Sequence, residues 1–127
     1  MPPTAVDENG FAILEQVLDT ETVSHLMHEL AHLKPSAAIN RRNESVYGAL
    51  KIIPKSHKDG RLSAGEIKSR RQANETELCS VKKGDCLIMR PLILHSSSAG
   101  TNPKSRRVIH FEFSAESLPN GLDWYGS

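Results

Sequence analysis

Apolar positions recur along the chain with two different periods, one helical and one extended. Between residues 20 and 33 the large apolar side chains recur every three or four residues, the spacing of one helical face. Asp19 and Thr20 offer N-cap oxygens and Pro35 stops the stretch, so we predict a helix between them. Residues 10–18 are predicted as a short strand or strand-turn leading into this helix. The apolar face comprises Val23, Leu26, Met27, Leu30 and Leu33.

Short β-like runs follow this helix and are separated by turn-forming residues. Residues 36–48 have no clear period and are predicted as loop. The runs that come after it are ALKIIP, ELCSV, CLIMR, LILH and RVIHFEF, with turns at SHKDG and KKGD. A helical first part followed by short strands predicts an α+β fold with an antiparallel sheet.

The cleanest alternation in the chain is RVIHFEF, residues 107–113. Period-two geometry places His110 and Glu112 on one face of a strand. We interpret the segment as a strand with one buried apolar face and one polar face. Arg106 has the same parity as His110, so both are expected to point toward the same side. The apolar face comprises Ile109, Phe111 and Phe113.

Length and charge exclude several classes of protein. At 127 residues we expect one domain, residues 1–127. A formal charge of +1 with interspersed signs and short apolar runs predicts no nucleic-acid or membrane partner. The first ten residues have neither the basic nor the apolar region of a secretion signal, so Cys79 and Cys86 are expected to be reduced thiols. We therefore expect an intracellular, cytoplasmic protein.

His28-Glu29-Leu30-Ala31-His32 has the form HExxH. In zinc proteases this pattern supplies two histidine ligands and a catalytic glutamate from one helix face. At about 100° per residue, His25, His28 and His32 form a stripe opposite the apolar face. Because catalytic zinc needs a shielded cavity and a third protein ligand, we favour a solvated helix face over the alternative, a zinc hydrolase.

His57-Lys58-Asp59 has the spacing HxD. Two histidines and one carboxylate form the facial triad that holds Fe(II) and leaves positions open, and His95 would complete such a set. An HxD pair needs both side chains on one side of a strand, whereas SHKDG is predicted as a turn. Turn chemistry explains Asp59 followed by glycine equally well, and both interpretations remain open.

Four longer stretches carry a family resemblance. They are GFAILEQVLDTETVSHLMHEL, ALKIIPKSHKDGRL, KKGDCLIMRPLILHSSSAGTN and RRVIHFEF, and together they span nearly the whole chain. In this order they resemble the phytanoyl-CoA dioxygenase family of Fe(II)/2-oxoglutarate oxygenases, whose IPGSHKxGxL block appears here with Lys55 in place of the glycine. The resemblance implies hydroxylation of a small organic substrate. Iron activates oxygen in that reaction while 2-oxoglutarate is decarboxylated to succinate.

The resemblance also implies roles for individual residues. His95 matches the distal iron-binding histidine of the triad. Arg106 matches the arginine that pairs with the far carboxylate of 2-oxoglutarate, a contact that suits the guanidinium fork. Ser97 matches a hydroxyl that assists the same carboxylate. The implied fold is an N-terminal helix packed on a partial double-stranded β-helix, jelly-roll or cupin-like and mostly antiparallel.

The chain departs from the family pattern by lacking one segment. The HxD pair of the family lies well before the IPxSHK block, but here residues 45–48 run almost directly into residues 49–51. One histidine from a triad binds iron poorly, so the alternative to an enzyme is an inactive interaction or regulatory remnant. The missing strands would leave sheet edges unpaired, and a partner chain, a rearranged packing or marginal stability are the physical options; a homo-oligomer through the exposed edges is one form of the first.

Overall fold

A computed structural model of the chain describes residues 4–32, 47–99 and 108–123. Helices and antiparallel sheets are both present, which confirms the predicted α+β class. The helices are α1 (Thr4–Asn9), α2 (Thr20–Leu30) and α3 (Ala64–Ala73), with 3-10 turns at Ser56–Asp59 and Pro119–Gly121. The strands are β1 (Phe11–Leu14), β2 (Tyr47–Ile52), β3 (Glu77–Cys79), β4 (Cys86–Met89) and β5 (His95–Ala99). Among the described residues, no helix combines the length and apolarity needed to cross a membrane.

The strands form two small antiparallel sheets. β1 pairs with β4, with Phe11 opposite Met89 and Leu14 opposite Cys86. In the second sheet, β2 lies between β3 and β5. Its ladder with β5 has a register shift between Tyr47 and Leu50. Both sheets join segments that are far apart in the sequence.

One apolar cluster connects the two sheets. Phe11 of β1 packs with Ile52 and Cys79 of the second sheet and with Ile93, which precedes β5. Ile52 is completely inaccessible to solvent. Partly buried side chains surround this cluster: Ile13, Leu50, Leu87 and Met89. The core therefore lies between the sheets, directly beside the start of β5.

Both cysteines are free thiols, as the sequence predicts. Cys79 is buried in the core and Cys86 is half-buried. Burial, together with the charge of Glu77, raises the pKa of the Cys79 thiol. Cys79 therefore acts as an apolar core residue that stays protonated near neutral pH.

Helix α2 begins at the predicted cap. The Asp19 carboxylate accepts a hydrogen bond from Thr22 N at 2.7 Å, and this contact lowers the pKa of Asp19. The helix ends at Leu30, and Leu33 lies outside the described residues. No side chain of α2 is buried; the predicted apolar face is half-buried at Val23 and more exposed at Met27.

Helix α3 is not predicted by the apolar period, because Ile67 is its one large apolar residue. A capping box forms its start instead. Ser63 N donates to the Glu66 carboxylate at 2.8 Å, and Glu66 N donates to Ser63 Oγ at 3.4 Å. The hydrogen bonds from Ser63 lower the pKa of Glu66. Ser-x-x-Glu was the signal in the sequence that could have located this helix.

The strand predicted at residues 107–113 is wrong over its described part, residues 108–113. No ladder partner lies beside this segment among the described residues, and an isolated strand has no hydrogen bonds to stabilise it. The side chains predicted to be buried are exposed: Ile109 by 49%, Phe111 by 72% and Phe113 by 89%. Alternation here marks an apolar face that the described part of the fold leaves uncovered.

Candidate functional site

His95 and Ser97 share one face of β5. In the ladder with β2, Ile52 lies opposite His95 and Leu50 lies opposite Ser97. Directly opposed residues of an antiparallel pair project to the same face. Because Ile52 and Leu50 belong to the core or pack against it, this is the core-facing side of the sheet. His95 is exposed at its rim and Ser97 is half-buried.

A backbone hydrogen bond orients the His95 ring. Nδ1 lies 2.9 Å from the carbonyl oxygen of Ile93. A carbonyl can only accept, so Nδ1 carries the proton and Nε2 keeps its lone pair. Metal-ligating histidines commonly have their second nitrogen fixed by a carbonyl or carboxylate in this way. The orientation of His95 therefore fits a ligand that binds through Nε2.

Ser56 fixes the backbone that leads into His95. Its side chain is completely buried, with Oγ donating to Ile53 O at 2.7 Å and accepting from Leu94 N at 2.8 Å. Ile53 N in turn donates to Leu94 O at 2.9 Å. We call these three hydrogen bonds the Ser56 bridge. Through it, the IPKSHK block positions the start of β5 from a distance of nearly forty residues in sequence.

His57 packs against the N-terminal part of the chain. Its Nε2 lies 3.1 Å from Asp7 O and donates to it, so Nδ1 is the acceptor nitrogen, and it is buried without a partner among the described residues. Gly10 has a φ of +86°, and a Cβ at that position would lie 2.4 Å from Nδ1. Since a methyl group would not fit there, the contact supports a packing role for His57, holding α1 against the body of the protein.

Asp59 is engaged by α3. Its carboxylate accepts from Arg70 Nε at 2.6 Å, and both side chains are about one-third exposed. Arg70 also donates to Asn74 Oδ1 at 2.7 Å. As predicted, residues 56–60 form a turn, here a short 3-10 helix ending at Gly60. Asp59 therefore ties this turn to α3.

The described residues do not fit the Fe(II) ion that the resemblance implies. All six histidines of the chain lie in described segments. Within residues 4–32, 47–99 and 108–123, no three His, Cys, Asp or Glu side chains are grouped to hold a metal. A facial triad needs two histidines and one carboxylate on one ion, and His57 and Asp59 do not form such a group with His95. Arg106 lies outside the described residues, so its predicted role stays a prediction.

The histidines of the HExxH pattern lie at the protein surface. His28, Glu29 and His32 are all exposed, as the sequence predicts for the stripe opposite the apolar face. The rings of His28 and His32 meet edge to face with centroids 5.8 Å apart. In the part of the chain that the structure describes, no third ligand joins them. The arrangement fits a solvated helix face.

Sequence reasoning did not single out two residues that shape this region, Ser56 and Gly10. Their contacts join positions 38 or more residues apart, so no local period could reveal them. Lys55 carried a usable signal, because it replaces a glycine of the family block. Its φ is +66°, in the region that favours glycine, and its N–H donates to Asn9 O at 2.8 Å.

Comparison with known proteins supports the resemblance. The family model of phytanoyl-CoA dioxygenase matches residues 44–108, which is 65 of the 127 residues of the chain. The matched range runs from β2 through β5 and includes His95, Ser97 and Arg106. No curated protein and no solved structure matches this chain. On the strength of the family match, the chain belongs to the phytanoyl-CoA dioxygenase family.

Proposed function

We propose that this chain binds a dicarboxylate of the 2-oxoglutarate class beside β5 and does not hydroxylate a substrate on its own. One observation carries the proposal. His95 and Ser97 share the core-facing side of β5, while the described residues offer no second histidine and carboxylate for an iron site there. The chain would then retain one half of the family site, the half that holds the cosubstrate.

The proposed binding groups are Ser97 and Arg106. Ser97 is half-buried next to the core, where a hydroxyl donor is shielded from water. Arg106 follows β5 by seven residues, and a guanidinium group can hold one carboxylate through two parallel hydrogen bonds. The Ser56 bridge supports Ser97 by fixing the backbone at the start of β5. We propose that β2, β3 and β5 are what remains of the double-stranded β-helix of the family.

The second candidate is the full family activity, hydroxylation of a small organic substrate with Fe(II) and 2-oxoglutarate. The orientation of His95 favours it, because the hydrogen bond of Nδ1 to Ile93 O leaves Nε2 as the nitrogen available to a metal. When bound, the iron of this family supplies the activation of oxygen. Because the described residues group no further metal ligands with His95, this candidate needs its other ligands from outside that part of the chain. A zinc hydrolase at His28 and His32 gains no support from their exposed positions.

Thermal unfolding distinguishes these candidates. Ligands that bind only the folded form raise the midpoint, by about 2.7 kcal/mol of stability at 100 times Kd. We expect 2-oxoglutarate alone to raise the midpoint, with no further increase from Mn(II), a redox-stable substitute for Fe(II). Arg106→Ala should abolish the shift. Arg107→Ala is the matched control, since it removes the neighbouring positive charge, and it should retain the shift.

Two outcomes would contradict the proposal. A joint shift with Mn(II) that is larger than either single shift, and lost in His95→Ala, would show a complete metal site; succinate release with Fe(II) would then establish the oxygenase. The absence of any shift with 2-oxoglutarate would reject the dicarboxylate site. In that case the inactive interaction module becomes the preferred function.

A further inference from the structure

Residues 108–113, which we call the VIHFEF segment, form an extended stretch on the protein surface. Phe111 and Phe113 lie on the same side, with ring centroids 6.3 Å apart and ring planes 28° from parallel. Alternate residues of an extended chain lie on one side about 6.6 Å apart. The spacing of the two rings fits an extended backbone, although the segment belongs to neither sheet.

In the part of the chain that the structure describes, the VIHFEF segment has exposed side chains and a backbone without hydrogen-bond partners. Val108 is 66% exposed, and Phe111 and Phe113 are more exposed still. Among the described residues, no hydrogen bond is made by residues 108–113. A strand-like stretch with unpaired N–H and C=O groups and an exposed apolar face is a template for pairing with another chain.

We propose that the VIHFEF segment pairs antiparallel with the same segment of a second copy of this chain. The two-fold axis passes through Phe111, which lies opposite Phe111 of the second copy. His110 then lies opposite Glu112 of the second copy, and Ile109 lies opposite Phe113. This pairing is isologous, so each contact away from the axis occurs twice.

Charge complementarity selects both the partner and the register. In the proposed pairing, an imidazole faces a carboxylate at two symmetric positions, and Ile109, Phe111 and Phe113 of both copies share the other face. If one strand shifts by one residue relative to the other, the apolar side chains of the two strands lie on opposite faces of the ladder. A slip by two residues places His110 opposite His110, or Glu112 opposite Glu112. Of these registers, only the centred one places each His110 opposite a Glu112 and keeps the apolar faces together.

The edge strand β5 of the same chain matches the segment less well. After His95 it carries three consecutive serines, at positions 96–98, so this stretch offers no charge to Glu112 and no large apolar side chain to Phe111. Standard stable interfaces bury about 1,200–2,000 Å² in total, more than two six-residue strands contribute. We therefore expect a reversible dimer whose population rises with protein concentration. This inference is independent of the proposed dicarboxylate site.

A charge-exchange series tests the register. His110→Glu places two carboxylates opposite each other, and Glu112→Lys places lysine opposite histidine, so each variant should dimerise about ten-fold more weakly. The double variant His110→Glu/Glu112→Lys should recover the affinity, because glutamate again faces a cation. An equimolar mixture of the two single variants should form heterodimers. Sedimentation equilibrium over a concentration series measures each constant.

A cysteine at the two-fold axis tests the geometry directly. Phe111→Cys, in a Cys86→Ala background, should form an intermolecular disulfide under mild oxidation. Opposed Cα atoms lie about 4.5–5.5 Å apart, within disulfide range. Phe113→Cys is the matched control, because its two copies would be about 13 Å apart along the ladder. A monomer at every concentration, equal cross-linking at both positions, or no recovery in the double variant would each overturn the proposal.

Discussion

Two apolar regions of this protein differ in how far they are buried from solvent. Around the Ser56 bridge, Ile52, Ile53 and Ile93 are nearly inaccessible to solvent, and every polar group of Ser56 has a partner. In the VIHFEF segment, side chains of the same kind are mostly exposed. Local hydrophobicity is similar in both regions. The difference is that the first region has a neighbouring strand and the second has none among the described residues, so pairing decides burial.

The polar side chains of the two regions also differ in what they hydrogen-bond to. The hydroxyl of Ser56 can be buried in the first region because it donates one hydrogen bond to Ile53 O and accepts another from Leu94 N. His110 and Glu112 lie in the exposed region, where water serves the same purpose. A polar side chain therefore stabilises the core only where its partners are already fixed by neighbouring strands. The following predictions test this contrast.

The largest contrast is expected between two truncations of large apolar side chains. Ile52→Ala should lower the free energy of unfolding by about 2–5 kcal/mol, because it opens a cavity at a fully buried position. Phe113→Ala should change it by less than about 0.5 kcal/mol in dilute protein. Urea unfolding curves measure both. A comparable loss in Phe113→Ala would show that the VIHFEF segment packs onto its own chain in solution.

A methyl group at Gly10 should have the next largest effect. Gly10→Ala strains a backbone with a φ of +86°, which alone costs about 1–3 kcal/mol, and its Cβ would also meet His57 Nδ1 and Ile93. Gly121→Ala is the control, since its φ is +71° but nothing lies within 4 Å of the added Cβ. Thermal unfolding should show the greater loss for Gly10→Ala. Equal losses would mean that the His57 contact contributes nothing to stability.

Removal of the Ser56 hydroxyl should have an intermediate effect. Ser56→Ala leaves Ile53 O and Leu94 N buried without this partner, a cost of about 1–3 kcal/mol. Hydrogen exchange at Leu94 N–H should accelerate in parallel. Ser80→Ala, at an exposed position, should change stability by less than about 0.5 kcal/mol. Unchanged exchange at Leu94 would show that the bridge does not hold the start of β5.

The smallest expected effect is the pH dependence contributed by Asp85. Its carboxylate accepts from Gln16 N at 3.0 Å and Lys82 N at 2.8 Å, and these bonds lower the pKa of Asp85 below its usual value of 3.8. Because the pKa is lower in the folded state, the stabilisation is complete above the unfolded pKa. It disappears as the pH falls through the folded pKa. Asp85→Asn should flatten the acid side of the stability–pH curve, and an unchanged slope would contradict this role.

Local features of the sequence predicted some helices and strands correctly and failed to predict others. The Asp19 cap and the apolar period located α2, and short apolar runs located β2, β3 and β4. The strand predicted at LILH, residues 92–95, is wrong except at His95, because β5 begins at that residue and continues through the serines that follow. Helix α3 was missed because its sequence is almost entirely polar. The Ser63–Glu66 capping box was the one local signal that could have revealed it. The VIHFEF segment was predicted wrongly because alternation describes a face but carries no information on what covers it.

The candidate site shows the same limit. The resemblance placed His95 and Ser97 at alternate positions, and the structure puts them on one face of β5. The contacts that support them, from Ser56 to Leu94 and from His57 to Asp7, join residues distant in sequence. Whether a histidine binds a ligand or packs against a glycine depends on such contacts. His57 and His95 look alike in the sequence and differ in the fold.

The pairing of β1 with β4 also affects the order in which the protein can fold during synthesis. Leu14 is paired with Cys86, so β1 must wait for 72 further residues before its partner strand exists. Ribosomes add about 5–20 residues per second, which makes this wait roughly 4–14 s. During that interval Phe11 has no core to enter. The nascent chain therefore exposes an apolar strand until β4 has been made, the kind of segment that chaperones bind.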